Sequence, residues 1–286
     1  MSKAWVAYLK GIRDMGHDKL RKFQENLTFP CLIQPEAGSV LVKDAHGLEL
    51  NDHPIKGHWN GKVFAGERPI VLELGCGKGE YTVDLSLRMP RKNYIGVDIK
   101  GARLWKGAKF ATENGLANVA FLRTRIEFIT AFFAPSEVSG IWLTFSDPQM
   151  KSENSRLTSP LFLARYRSFL QEGGIVNLKT DSIFLYRYTL AVCRANGLDV
   201  LVSTADLYGE KERVSAEMEG KGIDKESVGA LFDVQTFYEK MFLRQGYKIT
   251  YIAFRIDHEG EYVSPEDFDA AYWRTVDPPR KLEFQG

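Results

Sequence analysis

Short apolar runs alternate with longer amphipathic segments through most of the chain. Runs rich in Val, Ile and Leu predict strands at 70–74, 93–99, 118–123, 140–145 and 175–180. The segments between them predict helices at 80–89, 101–115, 126–133, 159–174 and 181–197. A further strand is predicted within 198–208, and a last helix and strand within 234–256. This alternation is typical of a mostly parallel sheet with helices on both faces, which binds ligands at the carboxyl ends of its strands.

Three regions fall outside the alternation. Residues 1–68 precede the first regular strand and are predicted to be an extension with loops. The charged, glycine-containing segment 209–229 is predicted to be a mobile surface insertion in a domain that spans residues 69–256. Residues 257–286 are predicted to be an acidic tail, since Asp257 to Asp269 holds six acids and no Lys or Arg.

Composition excludes several classes of protein. With 44% apolar, 12% aromatic and 26% charged residues, the chain can bury a core and is not typical of disordered or fibrous proteins. The cysteines, Cys31, Cys76 and Cys193, are odd in number and far apart, so no disulfide framework is expected and a reducing cytoplasm fits best. The five histidines show no ligand spacing, and no metal is expected. No membrane contact is expected, because no run reaches the roughly 18 apolar residues of a membrane span and the N-terminus lacks a signal-peptide run.

The net charge of +1 conceals a strongly basic window. Between Arg88 and Arg125 there are nine basic residues and two acidic ones. A basic face on a nearly neutral protein suits a polyanion such as nucleic acid. A solvated helix face explains the same pattern equally well.

The segment "LELGCGKGE" places glycines at 75, 77 and 79 directly after the first strand. Glu80 stands where a dinucleotide-binding G-x-G-x-x-G would have its third glycine, which argues against an NAD-dependent oxidoreductase. Glu73 would repel a phosphate but attract a cation. Asp98 closes the second strand, where a carboxylate can accept hydrogen bonds from two ribose hydroxyls. A tight strand-to-helix turn without a ligand is the alternative.

The E-x-G-x-G-x-G pattern of 73–79 resembles the first motif of the class I methyltransferases, which use S-adenosylmethionine, a cofactor with a sulfonium, an ammonium and no phosphate. "ELGCGKG", "FSDPQMKSENSRL", "LKTD" and "TFYEKMF" follow in this order. Together they resemble the bacterial tRNA (guanine-N7-)-methyltransferases over residues 15–256. The resemblance implies a Rossmann-like, seven-stranded, mostly parallel sheet. It also implies methyl transfer to guanine-N7 in tRNA, in the variable loop, with S-adenosylhomocysteine as product, and a tRNA contact within residues 1–68.

The resemblance also implies the site residues. Asp147 is implied as the catalytic residue. The implied cofactor residues are Glu73, Gly75, Gly77, Asp98, Arg125, Ile126 and Asp147. The implied substrate residues are Lys151, Asp181, Thr236, Phe237, Tyr238 and Glu239.

Guanine-N7 has a free in-plane lone pair, so its methylation needs no general base. The reaction is helped instead by orienting the guanine toward the methyl group and by stabilising the positive charge that forms on the purine. Asp147, Asp181 and Glu239 are therefore predicted to accept hydrogen bonds from guanine, Lys151 to hold a phosphate, and Phe237 or Tyr238 to stack on the base. Blander roles remain open: Asp147 as a loop cap, Asp181 as the N-cap of the next helix, and the two aromatic residues as core residues.

Several residues depart from the family pattern. Gln149 replaces a Trp, Ser152 and Glu153 interrupt a basic run, and Arg125 and Met241 also differ. The basic window and "KLRKF" at 19–23 are predicted to supply phosphate contacts in their place. The departures keep two rivals open: a methyltransferase for another RNA or a small molecule, and a cofactor-binding RNA module without turnover. No obligate protein partner is expected, and the chain is predicted to be a monomer or homodimer.

Overall fold

The computed structural model describes residues 19–44 and 47–277. Ten strands occur in them: β1 (Leu32–Ile33), β2 (Leu41–Asp44), β3 (Gly47–Leu50), β4 (Ile70–Leu74), β5 (Asn93–Asp98), β6 (Val119–Arg123), β7 (Val138–Thr144), β8 (Leu170–Thr180), β9 (Val200–Thr204) and β10 (Thr250–Arg255). Strands β2 and β3 form a separate antiparallel pair. The other eight form one sheet in the order β1-β6-β5-β4-β7-β8-β10-β9, in which β10 alone runs antiparallel to its neighbours. The chain direction across the sheet reverses between β4 and β7, and a sheet of this kind opens a ligand crevice there.

The helices in the same residues are α1 (Lys19–Asn26), α2 (Ala37–Val40), α3 (Trp59–Lys62), α4 (Glu80–Arg88), α5 (Gly101–Glu113), α6 (Pro160–Arg167), α7 (Ile183–Ala195), α8 (Lys211–Gly220), α9 (Lys225–Asp233), α10 (Phe237–Arg244) and α11 (Ala270–Val276). Two short 3₁₀ helices span Ile126–Ala131 and Glu153–Ser155. None of the helices in the described ranges has the length and apolarity needed to cross a membrane.

Both faces of the sheet are covered. Leu72 of β4 belongs to the core on one face, together with Phe162 of α6. Val71 belongs to the core on the other face, together with Tyr81 of α4 and Leu231 of α9. A strand buried on both sides has no polar face, which explains why β4 reads as a continuous apolar run. The predicted Rossmann-like, mostly parallel sheet is confirmed, with eight strands rather than seven, because the two-residue β1 pairs with β6.

The predicted helix at 159–174 ends early. Helix α6 stops at Arg167, and β8 begins at Leu170, so Gly173 and Gly174 lie in a strand rather than after a helix. The β7–β8 pairing shifts register here, from Leu170 opposite Val138 to Ile175 opposite Gly140. Gly173 has a φ of 72°, so these glycines make a strand irregularity and not a helix stop.

The segment 209–229 was predicted to be a mobile surface insertion but consists largely of helix packed on the core. It forms α8 and most of α9, and Val214, Met218 and Val228 are buried in the same core as Val71. The charged residues form the outer sides of two amphipathic helices. The segment is therefore part of the layer that covers the sheet.

The described part of the acidic C-terminal region also packs on the domain. Asp277 is 2% exposed, and its Oδ2 accepts hydrogen bonds from Ser182 Oγ at 2.6 Å and Phe184 N at 2.9 Å. Tyr262 is buried in the core. Up to residue 277 this region is an ordered layer on α7 rather than a tail.

Candidate active site

The glycine loop follows β4 and leads into α4. Gly75, Gly77 and Gly79 all have left-handed φ values, of 79°, 58° and 72°. A β-carbon on Gly79 would lie 2.5 Å from the ring of Phe121, so this glycine is needed for packing. A β-carbon on Gly75 or Gly77 would meet no atom within 4 Å. These two glycines therefore leave open space beside the backbone, into which a ligand can fit.

Glu73 lies beneath this loop. It is 3% exposed; its Oε2 accepts hydrogen bonds from Thr82 N at 2.8 Å and Thr82 Oγ1 at 2.5 Å, and its Oε1 accepts one from Thr144 Oγ1 at 2.5 Å. Burial raises the pKa of Glu73 to about 7. The carboxyl group thus ties together β4, α4 and β7, which supports the loop from inside.

Asp98 lies at the end of β5, beside the glycine loop. Its Oδ2 accepts a hydrogen bond from Gly77 N at 3.0 Å, and its Oδ1 accepts one from Lys100 N at 2.7 Å. Each carboxylate oxygen can accept a second hydrogen bond, so Asp98 suits a ligand with two adjacent hydroxyls. Arg125 and Ile126 follow β6, the neighbouring strand; Arg125 is exposed and forms an ion pair with Glu127 at 3.1 Å.

Asp147 lies in the loop after β7. It is exposed, and its Oδ1 accepts a hydrogen bond from Gln149 N at 2.9 Å, so it does cap its loop. Phe145 and Gln149 both have left-handed φ, of 51° and 45°. The turn thus presents the other carboxylate oxygen at the carboxyl edge of the sheet. Lys151, further along the loop, is exposed.

Arg156 links the loop after β7 to two aromatic side chains of α7. Its guanidinium lies 4.3 Å from the ring centroid of Tyr188 and 4.8 Å from that of Phe184, and it donates hydrogen bonds to Gln149 O and Met150 O, both at 3.2 Å. Tyr188 also donates to Glu153 Oε1 at 2.7 Å. Glu153, one of the departures from the family pattern, is therefore a partner of α7.

The two remaining substrate motifs follow β8 and open α10. Asp181 is half-buried after β8, and Ser182, not Asp181, caps α7 by accepting from Leu185 N at 3.1 Å. Phe237 and Tyr238 are 47% and 37% exposed, so they are not core residues. Glu239 is 0% exposed and pairs with Lys179, so it does not reach the surface where a substrate contact was expected.

A cavity of about 360 Å³ lies elsewhere, under α8 and α9. Val71, Tyr94 and Gly140, near the amino ends of their strands, line it. The predicted site residues lie at or past the carboxyl ends of the strands, so this cavity is separate from the site.

Comparison with known proteins assigns the chain to a family. A family described as "Putative methyltransferase" matches residues 67–228. A tRNA (guanine-N(7)-)-methyltransferase of Porphyromonas gingivalis is 48% identical, over 84% of this chain and 90% of the relative. The protein of the same name in Christiangramia forsetii is 46% identical, over 84% of this chain and 98% of the relative. The chain belongs to the tRNA (guanine-N7-)-methyltransferase family.

Solved structures are less similar. The antibiotic-resistance methyltransferase Kmr has a TM-score of 0.45 and 15% identity, over 67% of this chain and 88% of that chain, which is too low to add to the assignment.

The cofactor of a methyltransferase of this family is S-adenosylmethionine. The site residues fit it: the glycine loop leaves open space beside Gly75 and Gly77, and Asp98 offers two acceptors for hydroxyls. Glu73 is the exception among the implied cofactor residues. Thr82 and Thr144 donate hydrogen bonds to its two carboxylate oxygens. Glu73 is therefore placed to support the loop rather than to contact the cofactor.

Two basic segments that are far apart in the sequence, α1 and α5, lie together in the structure. Helix α1 packs on α5 through hydrogen bonds from Asn26 Nδ2 to Gly101 O at 2.9 Å and from Trp105 Nε1 to Glu25 Oε2 at 2.7 Å. The basic groups of Arg21, Lys22 and Lys109 surround the Trp105 ring at 5.5, 5.2 and 5.1 Å. The basic residues of α1 and α5 therefore form one basic surface, whereas Arg88 and Arg91 of the predicted window pair with Asp233 and Glu226 of α9.

This surface continues to the substrate motifs. Burial lowers the pKa of Lys106, and repulsion by nearby Lys78 and Lys22 lowers it further. The Lys78 ammonium in turn lies 5.5 Å from the ring centroid of Phe237. The basic groups thus run from α1 to the exposed aromatic turn at the start of α10.

Sequence reasoning missed Lys179, Arg156 and Lys78. A lysine inside the apolar run "IVNLKT" is a usable signal, because lysine is almost never fully buried unless it is paired. Arg156 and Lys78 carry no such signal, since only the tertiary contacts distinguish them from surface residues.

Proposed function

We propose that this protein transfers a methyl group from S-adenosylmethionine to N7 of a guanine in tRNA, in the variable loop. The observation that carries the proposal is the convergence of four motifs at one edge of the sheet. The glycine loop, Asp98, the exposed Asp147 and the aromatic turn of α10 all lie past carboxyl strand ends or beside them. Family membership supplies the reaction class.

Gly75, Gly77 and Asp98 would hold the cofactor, with Arg125 and Ile126 beside its adenine end. When bound, S-adenosylmethionine supplies a methyl group on a sulfonium and leaves as neutral S-adenosylhomocysteine. Glu73 fixes the loop through Thr82 and Thr144 rather than by taking a proton from the substrate.

Asp147 orients the guanine and offsets charge. The N7 lone pair forms the new N–C bond, and the positive charge moves to the purine without loss of a proton. An exposed carboxylate held by its own loop can accept hydrogen bonds from the guanine N–H groups and stabilise that charge. Asp181 accepts hydrogen bonds from the same guanine. Phe237 or Tyr238 stacks on the guanine once it has left the base stack of the tRNA.

The basic surface of α1 and α5 would hold the phosphate backbone, with Lys151 as a further contact near the base. Phosphate contacts position a nucleic acid without reading its sequence, which suits a stripe of lysines and arginines on two helices. In this arrangement residues 69–256 carry the chemistry, and α1 of the N-terminal extension contributes to tRNA binding. Action in the cytoplasm is part of the same proposal and is supported by the proposed tRNA substrate.

The test is transfer of labelled methyl from S-adenosylmethionine to unmodified tRNA, followed by mapping of the modified nucleotide. Label at guanine-N7 of the variable loop supports the proposal. Label at another base or ring atom would overturn it in favour of a different RNA methyltransferase. Cofactor and tRNA binding by calorimetry with no transfer would support the RNA-binding module instead.

A further inference from the structure

Lys179 is a fully buried cation next to the site. It lies on β8 two residues before Asp181 and is 0% exposed. Its Nζ donates to Leu231 O at 2.7 Å and Val234 O at 3.1 Å, and lies 2.7 Å from Glu239 Oε1. A lysine ammonium has three protons, so these three oxygens satisfy it completely.

Glu239 is the other half of this pair. Its Oε1 also accepts a hydrogen bond from Tyr208 OH at 2.6 Å, and its backbone N donates to Thr236 Oγ1 at 3.1 Å. The carboxylate therefore lies on the buried side of the first turn of α10, and Phe237 and Tyr238 lie on the exposed side of the same turn. Burial lowers the pKa of Lys179, and the nearby Glu239 carboxylate opposes that shift.

The main chain of Lys179 reaches a third element. Its carbonyl O accepts a hydrogen bond from Phe145 N at 2.9 Å, two residues before Asp147. One residue thus contacts the start of the Asp147 loop through its backbone and α10 through its side chain. Asp181 follows it on the same strand end.

We propose that Lys179 is a positioning residue for the reaction, which with Glu239 fixes the exposed aromatic turn of α10 relative to Asp147 and Asp181. In this role Glu239 acts through its hydrogen bonds to Lys179 and Tyr208 and does not contact the guanine. The inference rests on the proposed function, because it assigns the pair a part in aligning the target base. A buried pair replaced by apolar side chains of similar volume generally folds, which makes the role testable.

The main variant is Lys179→Met/Glu239→Met, with Glu239→Gln as the conservative change. We expect the double variant to lower kcat on tRNA at least about tenfold, because loss of alignment slows the chemical step. The KM for tRNA should stay within about threefold, since the phosphate contacts are distant. Calorimetry should give the double variant the same stoichiometry and affinity for S-adenosylmethionine as wild type. Glu239→Gln keeps an acceptor for Lys179 and Tyr208, so it should retain at least about a third of the wild-type kcat.

Tyr251→Phe is the matched control. Tyr251 lies on β10 opposite Lys179, and its OH donates to Asn177 Oδ1 of β8 at 2.7 Å, a buried hydrogen bond that does not reach α10. This variant removes a buried polar contact two residues from Lys179 and should leave kcat unchanged. A similar fall in kcat for Tyr251→Phe and the double variant would show a general packing effect and overturn the inference.

Two further outcomes would overturn it. One is an unchanged kcat in the folded double variant. The other is a loss greater than about tenfold in a Glu239→Gln variant whose urea unfolding and cofactor affinity match wild type, which would show that the negative charge itself acts on the guanine; this arm decides the matter even where the double variant fails to fold. Failure of the proposed function is distinguishable, because it appears as absence of guanine-N7 methylation by the wild-type protein.

Discussion

Replacing Glu73 with glutamine should change how the stability of the protein depends on pH. Burial raises the pKa of Glu73 from 4.5 to about 7. A carboxyl group with a raised pKa binds its proton more tightly in the folded state than in the unfolded chain. Its favourable contribution is therefore present at low pH and is lost as the pH rises from the unfolded pKa through the folded one. From about pH 5 to pH 8 the loss is roughly 2–3 kcal/mol.

The assay is urea unfolding of wild type and Glu73→Gln at several pH values across that range. Glutamine keeps an acceptor for Thr82 and a polar group for Thr144, so the fold should persist. The other titrating groups are common to both proteins and cancel in the difference. We expect the free energy of unfolding of the variant, relative to wild type, to rise by about 2–3 kcal/mol from pH 5 to pH 8. A difference constant within about 0.5 kcal/mol would show that Glu73 is ionised throughout and refute the reasoning.

Four other variants test the site. Asp147→Ala should lower the rate of methyl transfer by more than about tenfold, roughly 1.4 kcal/mol, with tRNA affinity largely intact in filter binding; a residual rate above a tenth contradicts its central role. Lys22→Ala on α1, combined with Arg103→Ala at an exposed position of α5, should weaken tRNA binding and reduce the slope of log affinity against log salt by about one per lost phosphate contact. An unchanged slope would remove α1 and α5 from the interface. Gly79→Ala should cost about 2–3 kcal/mol or more in urea unfolding because its new methyl has no room. Gly77→Ala should cost only about 1–2 kcal/mol yet abolish cofactor binding in calorimetry, and equal stability losses would contradict the contrast.

Some residues of the candidate site could be predicted from the sequence, and others could not. Gly75, Gly77 and Asp98 follow from the chain alone, because a parallel sheet brings successive strand ends to one edge. Glu73 and Glu239 do not, since a carboxylate inside a motif has the same sequence signature whether it faces a ligand or is buried. The structure places both inside, where threonines engage one and a lysine engages the other.

Local sequence rules also failed where long-range pairing competes with them. The Gly-Gly at 173–174 has the pattern of a helix stop but lies in a strand, because the shifted pairing of β7 with β8 needs flexible residues there. The charged segment at 209–229 has the composition of a loop. Its apolar residues, Val214, Met218 and Val228, are nevertheless spaced to bury one side of two helices.

The amino-acid sequence by itself determined the alternation of strands and helices, the order of the motifs and the edge of the sheet at which they meet, because these depend on hydrophobic periodicity and chain connectivity. Only the tertiary structure decided which charged side chains face solvent. It joined the basic residues of α1 and α5 into one surface and placed Lys179 and Glu239 in the interior. Such pairings form between residues distant in sequence, and their cost or benefit depends on burial, which no local pattern encodes.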